Sequence, residues 1–403
     1  MGSFFAKKYT WGTLTFMKEI YLDHASATPL DPRVQEAMEP YLSHEFGNPS
    51  GLYQFSRTAK EAVEDARKKI SEVLNLHSGQ VIFTSNGTEA INLGLFGIAR
   101  AYASQGKHII TTKIEHPAVL ETCKALEKEG FSITYLDVDE QGEVGVATVR
   151  AALRPDTILV SVMYANNEVG TIQAIFEISK IVCEYRKEKG SKIPFLLTDA
   201  CQAAGVLDLD FEKLGVDLMV FNGSKIYGPK GTGILAKRQG IRLEPIIFGG
   251  GQEFGLRSGT ENVPGIVGIA RALQLAQRGK KEENKRLIYL REFFIKELLE
   301  RIPEAVLNGH PTKRLPNNVN ISIPGIEGDS LVVFLDAKGI FVSTGSACSS
   351  TSLEPSHVIS ALGRSAHLAF GSIRVSFGRS TAKEDLEYAL TVFSDVVKKL
   401  QKR

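Results

Sequence analysis

Between residues 58 and 275 the chain repeats one pattern: a short apolar run, then a stretch with helical spacing. The runs 80–85, 108–112, 133–136, 157–163, 194–198 and 218–221 are strand-sized. The segments between them place apolar residues on single helical faces. Over 58–75, for example, Ala59, Ala62, Val63, Ala66, Ile70, Val73 and Leu74 line up together. Strands joined by helices run parallel, and uninterrupted apolar strands are covered on both faces. The pattern therefore predicts an α/β fold whose large domain is a mainly parallel sheet covered by helices. Ligands of such sheets bind beyond the carboxyl ends of the strands.

The pattern then changes. A long helical stretch, 273–301, leads to strand-like runs at 318–323, 340–343 and 373–377 and a closing helix at 383–402. These predict a smaller α+β domain made of residues 17–30 and 266–403, with the large domain over 31–265. Residues 1–16 hold Phe4, Phe5, Lys7, Lys8 and Trp11 but no continuous apolar core, and read as a loose N-terminal extension rather than a signal peptide.

With 48 basic and 46 acidic residues the net charge is +2, which argues against a nucleic-acid track or a membrane-binding surface. No apolar run is long enough to span a bilayer. The four cysteines, Cys123, Cys183, Cys201 and Cys348, form no Cys-x-x-Cys pair. That disfavours a structural zinc site or a disulfide scaffold and suits a reducing cytoplasm. Cys123 and Cys183 fall in helical patterns, 118–128 and 177–187, and are expected to be buried and inert. Cys348 differs: its surroundings, Ser343-Thr344-Gly345-Ser346-Ala347-Cys348-Ser349-Ser350-Thr351-Ser352, are too small and polar to pack a core.

Chemistry-bearing residues gather where the predicted strands end. Lys225 follows the strand 218–221 inside Asn222-Gly223-Ser224-Lys225-Ile226-Tyr227-Gly228-Pro229. A lysine held there is placed to form an imine with an aldehyde cofactor. Asp199, ending a neighbouring strand, could balance a pyridinium nitrogen, with Gln202 a turn further on. The turn Ser85-Asn86-Gly87-Thr88-Glu89 opens a helix and makes a phosphate seat; read as a simple capping turn, its cap is Thr88 or Ser85. His116 and Asn167 fall at two further strand ends, one offering a flat ring and a proton, the other an amide. Taken singly, a loop lysine or a histidine before proline is unremarkable. Their joint placement at successive strand ends is not explained by packing.

With these residues in view, the chain resembles the cysteine desulfurases, a group within the class V aminotransferases of the fold-type I pyridoxal phosphate enzymes. The resemblance runs through Ile20-Tyr21-Leu22-Asp23-His24, Gly47-Asn48-Pro49-Ser50, residues 84–89, Glu115-His116, Asn166-Asn167-Glu168, Asp199, the lysine turn, Arg257-Ser258-Gly259-Thr260, Gly345-Ser346-Ala347-Cys348 and Ser372-Ile373-Arg374. It implies that Lys225 forms the imine, Asp199 pairs with the ring nitrogen, His116 stacks on the ring and Gln202 binds the ring oxygen. Gly87, Thr88 and Ser224 would hold the phosphate, joined by Thr260 from the other subunit of a homodimer. Arg374 and Asn167 would hold the substrate carboxylate, and Cys348 would take the sulfur of L-cysteine as a persulfide, leaving alanine. A sulfur-acceptor protein, either an iron–sulfur scaffold or a tRNA-thiolation protein, would receive it. No stable metal site is implied, although Cys348 could transiently ligate an iron–sulfur cluster.

The chain departs from the family pattern in three places. Ser224 stands where a histidine often precedes the lysine, Tyr53 stands where a histidine often follows Gly-Asn-Pro-Ser, and the sequence stops soon after its last helix, where scaffold-docking relatives often run longer. A selenocysteine lyase or the second desulfurase subgroup would place its cysteine in an Arg-x-Gly-His-x-Cys setting, which is missing. A plain aminotransferase has no need of Cys348. A non-catalytic sulfur-assembly subunit is expected to have lost Lys225, Asp199 or Cys348, and all three are present.

Overall fold

A computed structural model of the chain describes residues 18–77, 79–345 and 354–402. Its strands are β1 (Ile20–Tyr21), β2 (Gly79–Thr84), β3 (His108–Thr112), β4 (Ser132–Leu136), β5 (Thr157–Ser161), β6 (Phe195–Asp199), β7 (Leu218–Asn222), β8 (Gly233–Arg238), β9 (Val306–Leu307), β10 (Asn318–Ser322), β11 (Ile340–Phe341) and β12 (Ser372–Ser376). Seven of them form the large sheet in the order β2-β8-β7-β6-β5-β3-β4. All pairs are parallel except the two made by β8, which runs against both β2 and β7. Every residue of β3, β5 and β6 is buried, as expected of parallel strands with helices on both faces.

The helices divide between the two faces. Gly87–Tyr102 and Pro117–Lys128 supply Ile91, Leu95, Ile98, Val119 and Leu126 to a core on one side. Gln54–Val73, Ile175–Lys189 and the first half of Val263–Arg301 pack on the other, through Ala59, Ile70, Ile178, Ile269 and Leu273. The second half of Val263–Arg301 leaves that core and enters another, where Phe294 meets Phe377 and Phe393 edge-on. This further core covers β10, which lies between antiparallel β9 and β12. The N-terminal segment joins it by pairing β1 with β11 and by a bridge from Asp23 to Ser376.

Three sequence expectations need correcting. β8 was not expected to be a strand; it is buried in the sheet although it contains Lys237, whose Nζ reaches the carbonyl of Ile241 at 2.9 Å. The long helix starts at Val263 rather than 273, because Pro264 is acceptable in a first turn and Asn262 caps it by accepting from the Gly265 N–H at 3.2 Å. Cys183 is exposed, not buried; the buried face of its helix carries Ile175, Ile178, Ser179 and Val182. Cys123 is buried as expected.

Candidate active site

The carboxyl ends of five strands of the large sheet open on one cavity of about 280 Å³. Gly87 and Thr88 follow β2, His116 follows β3, Asn167 follows β5, Asp199 ends β6, and Lys225 follows β7. All six line the cavity, together with Gln202 and with Arg374, which comes from β12. Two other expected residues do not. Ser224 stands beside the cavity, its Oγ donating to Asn222 Oδ1 at 3.1 Å. Thr260 lies on a separate cavity with Thr84, Ser85, Glu253 and Arg257. Cys348 lies outside the described residues, but Gly345, which precedes it in the same run, is on the cavity wall.

The turn after β2 is built for an anion. Asn86, not Thr88 or Ser85, is the helix cap and accepts from the Glu89 N–H at 2.8 Å. The N–H groups of Gly87 and Thr88 have no intrahelical acceptor and sit at the positive end of the helix dipole. A Cβ on Gly87 would come within 2.9 Å of Cys201 Sγ, so this close approach needs a glycine. Glu89 turns back to accept from the Ser85 N–H at 2.9 Å and takes Arg257 as its ion-pair partner, also at 2.9 Å.

Asp199 is buried, and its Oδ1 accepts from the Cys201 N–H at 2.9 Å. Lys225 emerges from a short helical turn whose cap is Asn222, and its Nζ donates to the carbonyl of Ser26 at 2.5 Å. His116 caps the helix Pro117–Lys128: its Nδ1 accepts from the Ala118 N–H at 3.0 Å. That bond assigns the neutral ring's proton to Nε2. Burial holds the His116 pKa below its ordinary value, with Lys225, His357 and Arg374 adding to the effect and Asp199 opposing it. The ring is therefore neutral at pH 7 and presents an N–H.

Arg374 is held in register by pairing with Asn320 and is nearly fully buried. Its Nη2 donates to Asp23 Oδ1 at 2.8 Å and Ser26 Oγ at 2.7 Å, and its Nη1 to the carbonyl of Asn167 at 3.1 Å. Among the described residues the buried Nε–H has no acceptor. A guanidinium carries five N–H donors, so Arg374 keeps donors in reserve for a carboxylate.

Several residues on the wall were not anticipated. Ala25 and Ser26 fold over from the N-terminal segment, and Gln202 Nε2 donates to the Ala25 carbonyl at 2.9 Å. Cys201, Asn222 and Glu168 also line the cavity, and each adjoins or closely precedes a residue singled out from the sequence. Their proximity in sequence was the available signal.

The arrangement is one a pyridoxal phosphate enzyme requires: a lysine and a buried carboxylate facing one cavity, a helix start for a phosphate, and an arginine with an unused donor. The sequence model of the class V aminotransferases matches residues 20–389, and the chain belongs to that family, whose members depend on pyridoxal phosphate. Among its relatives, a cysteine desulfurase IscS from Dictyoglomus turgidum is 49% identical over 384 residues, covering 95% of this chain and 96% of the relative. One from Methanosarcina thermophila is 48% identical over 384 residues, covering 95% and 93%. Among solved structures, a NifS-like protein superposes with a TM-score of 0.87 at 36% identity, covering 94% of this chain and all of the other. A NifS-like protein from Rickettsia africae gives 0.84 at 30% identity with the same coverage.

Proposed function

We propose that this protein is a cysteine desulfurase that takes sulfur from L-cysteine as a persulfide on Cys348 and releases L-alanine. The observation carrying this reading is a single cavity that gathers Lys225, Asp199, His116 and Arg374, and whose wall includes Gly345, the residue leading into Ser346-Ala347-Cys348. The kinship with the IscS proteins of D. turgidum and M. thermophila supports it.

In this reading Lys225 would hold the cofactor as its imine partner, with Asp199 as the carboxylate for its ring nitrogen. His116 would stack on the ring, and Gln202 and Asn167 would bind its oxygen. Gly87, Thr88 and Ser224 would hold the phosphate, with Thr260 supplied by a second subunit. Pyridoxal phosphate, when bound, supplies the electron sink that makes the substrate Cα–H acidic. Arg374 and Asn167 orient the cysteine carboxylate, so that Lys225 Nζ can take the Cα proton. The Cys348 thiolate then attacks the substrate sulfur: the S–S bond forms, the Cβ–S bond breaks, and the carbon fragment is reprotonated to alanine. Electrons balance without an outside oxidant, because the Cβ–S bonding pair stays with the carbon fragment: the sulfur is oxidised to persulfide level as that carbon is reduced and takes up a proton to become the methyl group of alanine.

A homodimer is part of the proposal. Exposed Phe46, stacked on Phe55, lies close in sequence to Leu52 and Tyr53. The neighbouring loops, Pro49–Ser50 and 250–254 with exposed Phe254, wall one cavity, and the same stretch continues to Thr260. Exposed large apolar side chains gathered in neighbouring loops suit an interface. The division into a large domain and a small one, a cytoplasmic setting, and delivery of the sulfur to an iron–sulfur scaffold or tRNA-thiolation protein complete the reading. Among the described residues no helix is long and apolar enough to cross a membrane.

The test is alanine and sulfide formation from L-cysteine by the purified, cofactor-loaded protein with a thiol reductant. Equal amounts of both are expected, and Cys348→Ala should keep the yellow colour while stopping sulfur release. A yellow protein that makes neither product overturns the assignment of substrate.

A further inference from the structure

The segment that contains Cys348 runs between Gly345 and Ser356, and both of these flanks meet one side chain. Ser356 Oγ donates to Glu168 Oε2 at 2.5 Å, across 188 positions of sequence. A Cβ added to Gly345 would stand 2.2 Å from the same oxygen, so only a glycine lets the chain pass so near. Glu168 is 2% exposed and lines the cavity with Lys225, Asp199 and Arg374. Its backbone is fixed on both sides: its N–H donates to Asn166 Oδ1 at 2.8 Å, and its carbonyl accepts from Asn318 Nδ2 at 3.1 Å.

The Ser356 bond has a defined direction. The Ile359 N–H donates to Ser356 Oγ at 3.2 Å, which makes the hydroxyl oxygen the cap of the helix His357–Ala361. Its own proton is then available for Glu168. The next residue, His357, contacts the carbonyl of Glu115 through Nε2 at 3.0 Å. Glu115 immediately precedes His116, and Glu168 immediately follows Asn167. The chain leaving the Cys348 segment is thus fastened to the two residues adjoining the ring-facing histidine and the carboxylate-facing amide. Burying an acidic group carries a desolvation cost, so its presence at this point calls for a role.

We infer that Glu168 is a positioning residue for sulfur transfer. Acting through Ser356 and Gly345, it holds the two described flanks between which Cys348 lies in the sequence. The inference rests on the desulfurase reading above. It names no contact to the cofactor, so the visible spectrum should not respond to it.

Glu168→Ala, prepared as the loaded protein, should lower kcat about tenfold or more while leaving KM for L-cysteine within about twofold. Its visible absorbance should match the parent, and backbone amides of His357–Ala361 should exchange faster in deuterated buffer without any cysteine present. Glu168→Gln keeps an oxygen that can accept the Ser356 proton, and should restore most of both the rate and the amide protection. Adding Ser356→Ala to Glu168→Ala should lower kcat no further, although loss of the Ser356 cap should speed amide exchange in His357–Ala361. If Glu168→Ala does not fold, Ser356→Ala alone should show the same kcat loss with unchanged KM. Parental turnover in Glu168→Ala, or unchanged amide exchange, overturns the inference. So does a Glu168→Gln variant as slow as Glu168→Ala with protection intact, which would put the acid in the chemistry itself. A parent that exchanges as expected but makes no alanine overturns the desulfurase reading alone.

Discussion

Glu115 offers a test of the electrostatics behind the site. Its side chain is fully buried; Oε1 accepts from Thr112 Oγ1 at 2.8 Å and from the Met163 N–H at 2.9 Å, while Oε2 has no partner among the described residues. Burial raises its pKa from 4.5 to about 8, with Asp199 adding to the rise and the two hydrogen bonds opposing it. The folded protein therefore keeps a proton that the unfolded chain releases. This contribution to stability is complete below pH 4.5 and is lost as pH rises toward 8. Integrating the proton difference gives a loss of about 2 kcal/mol between pH 6 and pH 8. Glu115→Gln keeps the shape and an acceptor for Thr112 and Met163 but cannot ionise. Urea unfolding of both proteins at pH 6, 7 and 8 should show the variant gaining on the parent by about 2 kcal/mol across the range. Comparing slopes cancels whatever other groups contribute. Parallel curves for the two proteins would mean that Glu115 is ionised in its pocket, and the reasoning from burial would fail.

Arg374→Ala removes the only guanidinium on the cavity wall among the described residues, and should raise KM for L-cysteine by about thirtyfold or more; an unchanged KM would place the carboxylate elsewhere. Asn86→Ala deletes the cap at the phosphate turn and should lower stability by about 1 kcal/mol while weakening cofactor retention, measured by dialysis and absorbance. Phe294→Ala empties the aromatic contact with Phe377 and Phe393 and should cost about 3–5 kcal/mol in urea unfolding, whereas a cost near zero would mean that core repacks freely.

Much of this site was legible in the sequence because it is assembled by strand ends. Once the runs ending near Thr84, Thr112, Ser161, Asp199 and Asn222 are read as parallel strands, the residues after them must share one edge of the sheet, and the cavity bears this out. What escaped depends on contacts between distant segments. Gly233–Arg238 looks too polar for a central strand, because the burial of Lys237 is made tolerable only by the Ile241 carbonyl. Asn86 outcompetes its neighbours as a cap, since Ser85 is engaged by Glu89 instead. Ser26 reaches both Lys225 and Arg374, a meeting that spacing along the chain cannot reveal. Cys183 shows the limit of periodicity: next to buried Val182, it falls just off the stripe that faces the sheet.

The helix Val263–Arg301 has a consequence of its own. Its 39 residues span about 58 Å, and its ends are embedded in different cores, with exposed Arg278, Gly279, Lys281 and Glu282 between them. It works as a phase keeper. One residue inserted near Gly279 would turn everything beyond it by about 100°, and would swing β10 and β12, with Arg374, away from the strand ends that hold Lys225 and Asp199. Insertion of seven would nearly restore the angle but push the far core about 10 Å outward. Gln277, Lys280 and Asn284 tie these middle turns to the carbonyls of Ala204, Leu207 and Val206, so the shaft is fixed along its length as well as at its ends, and the site's geometry is written partly in a count of residues.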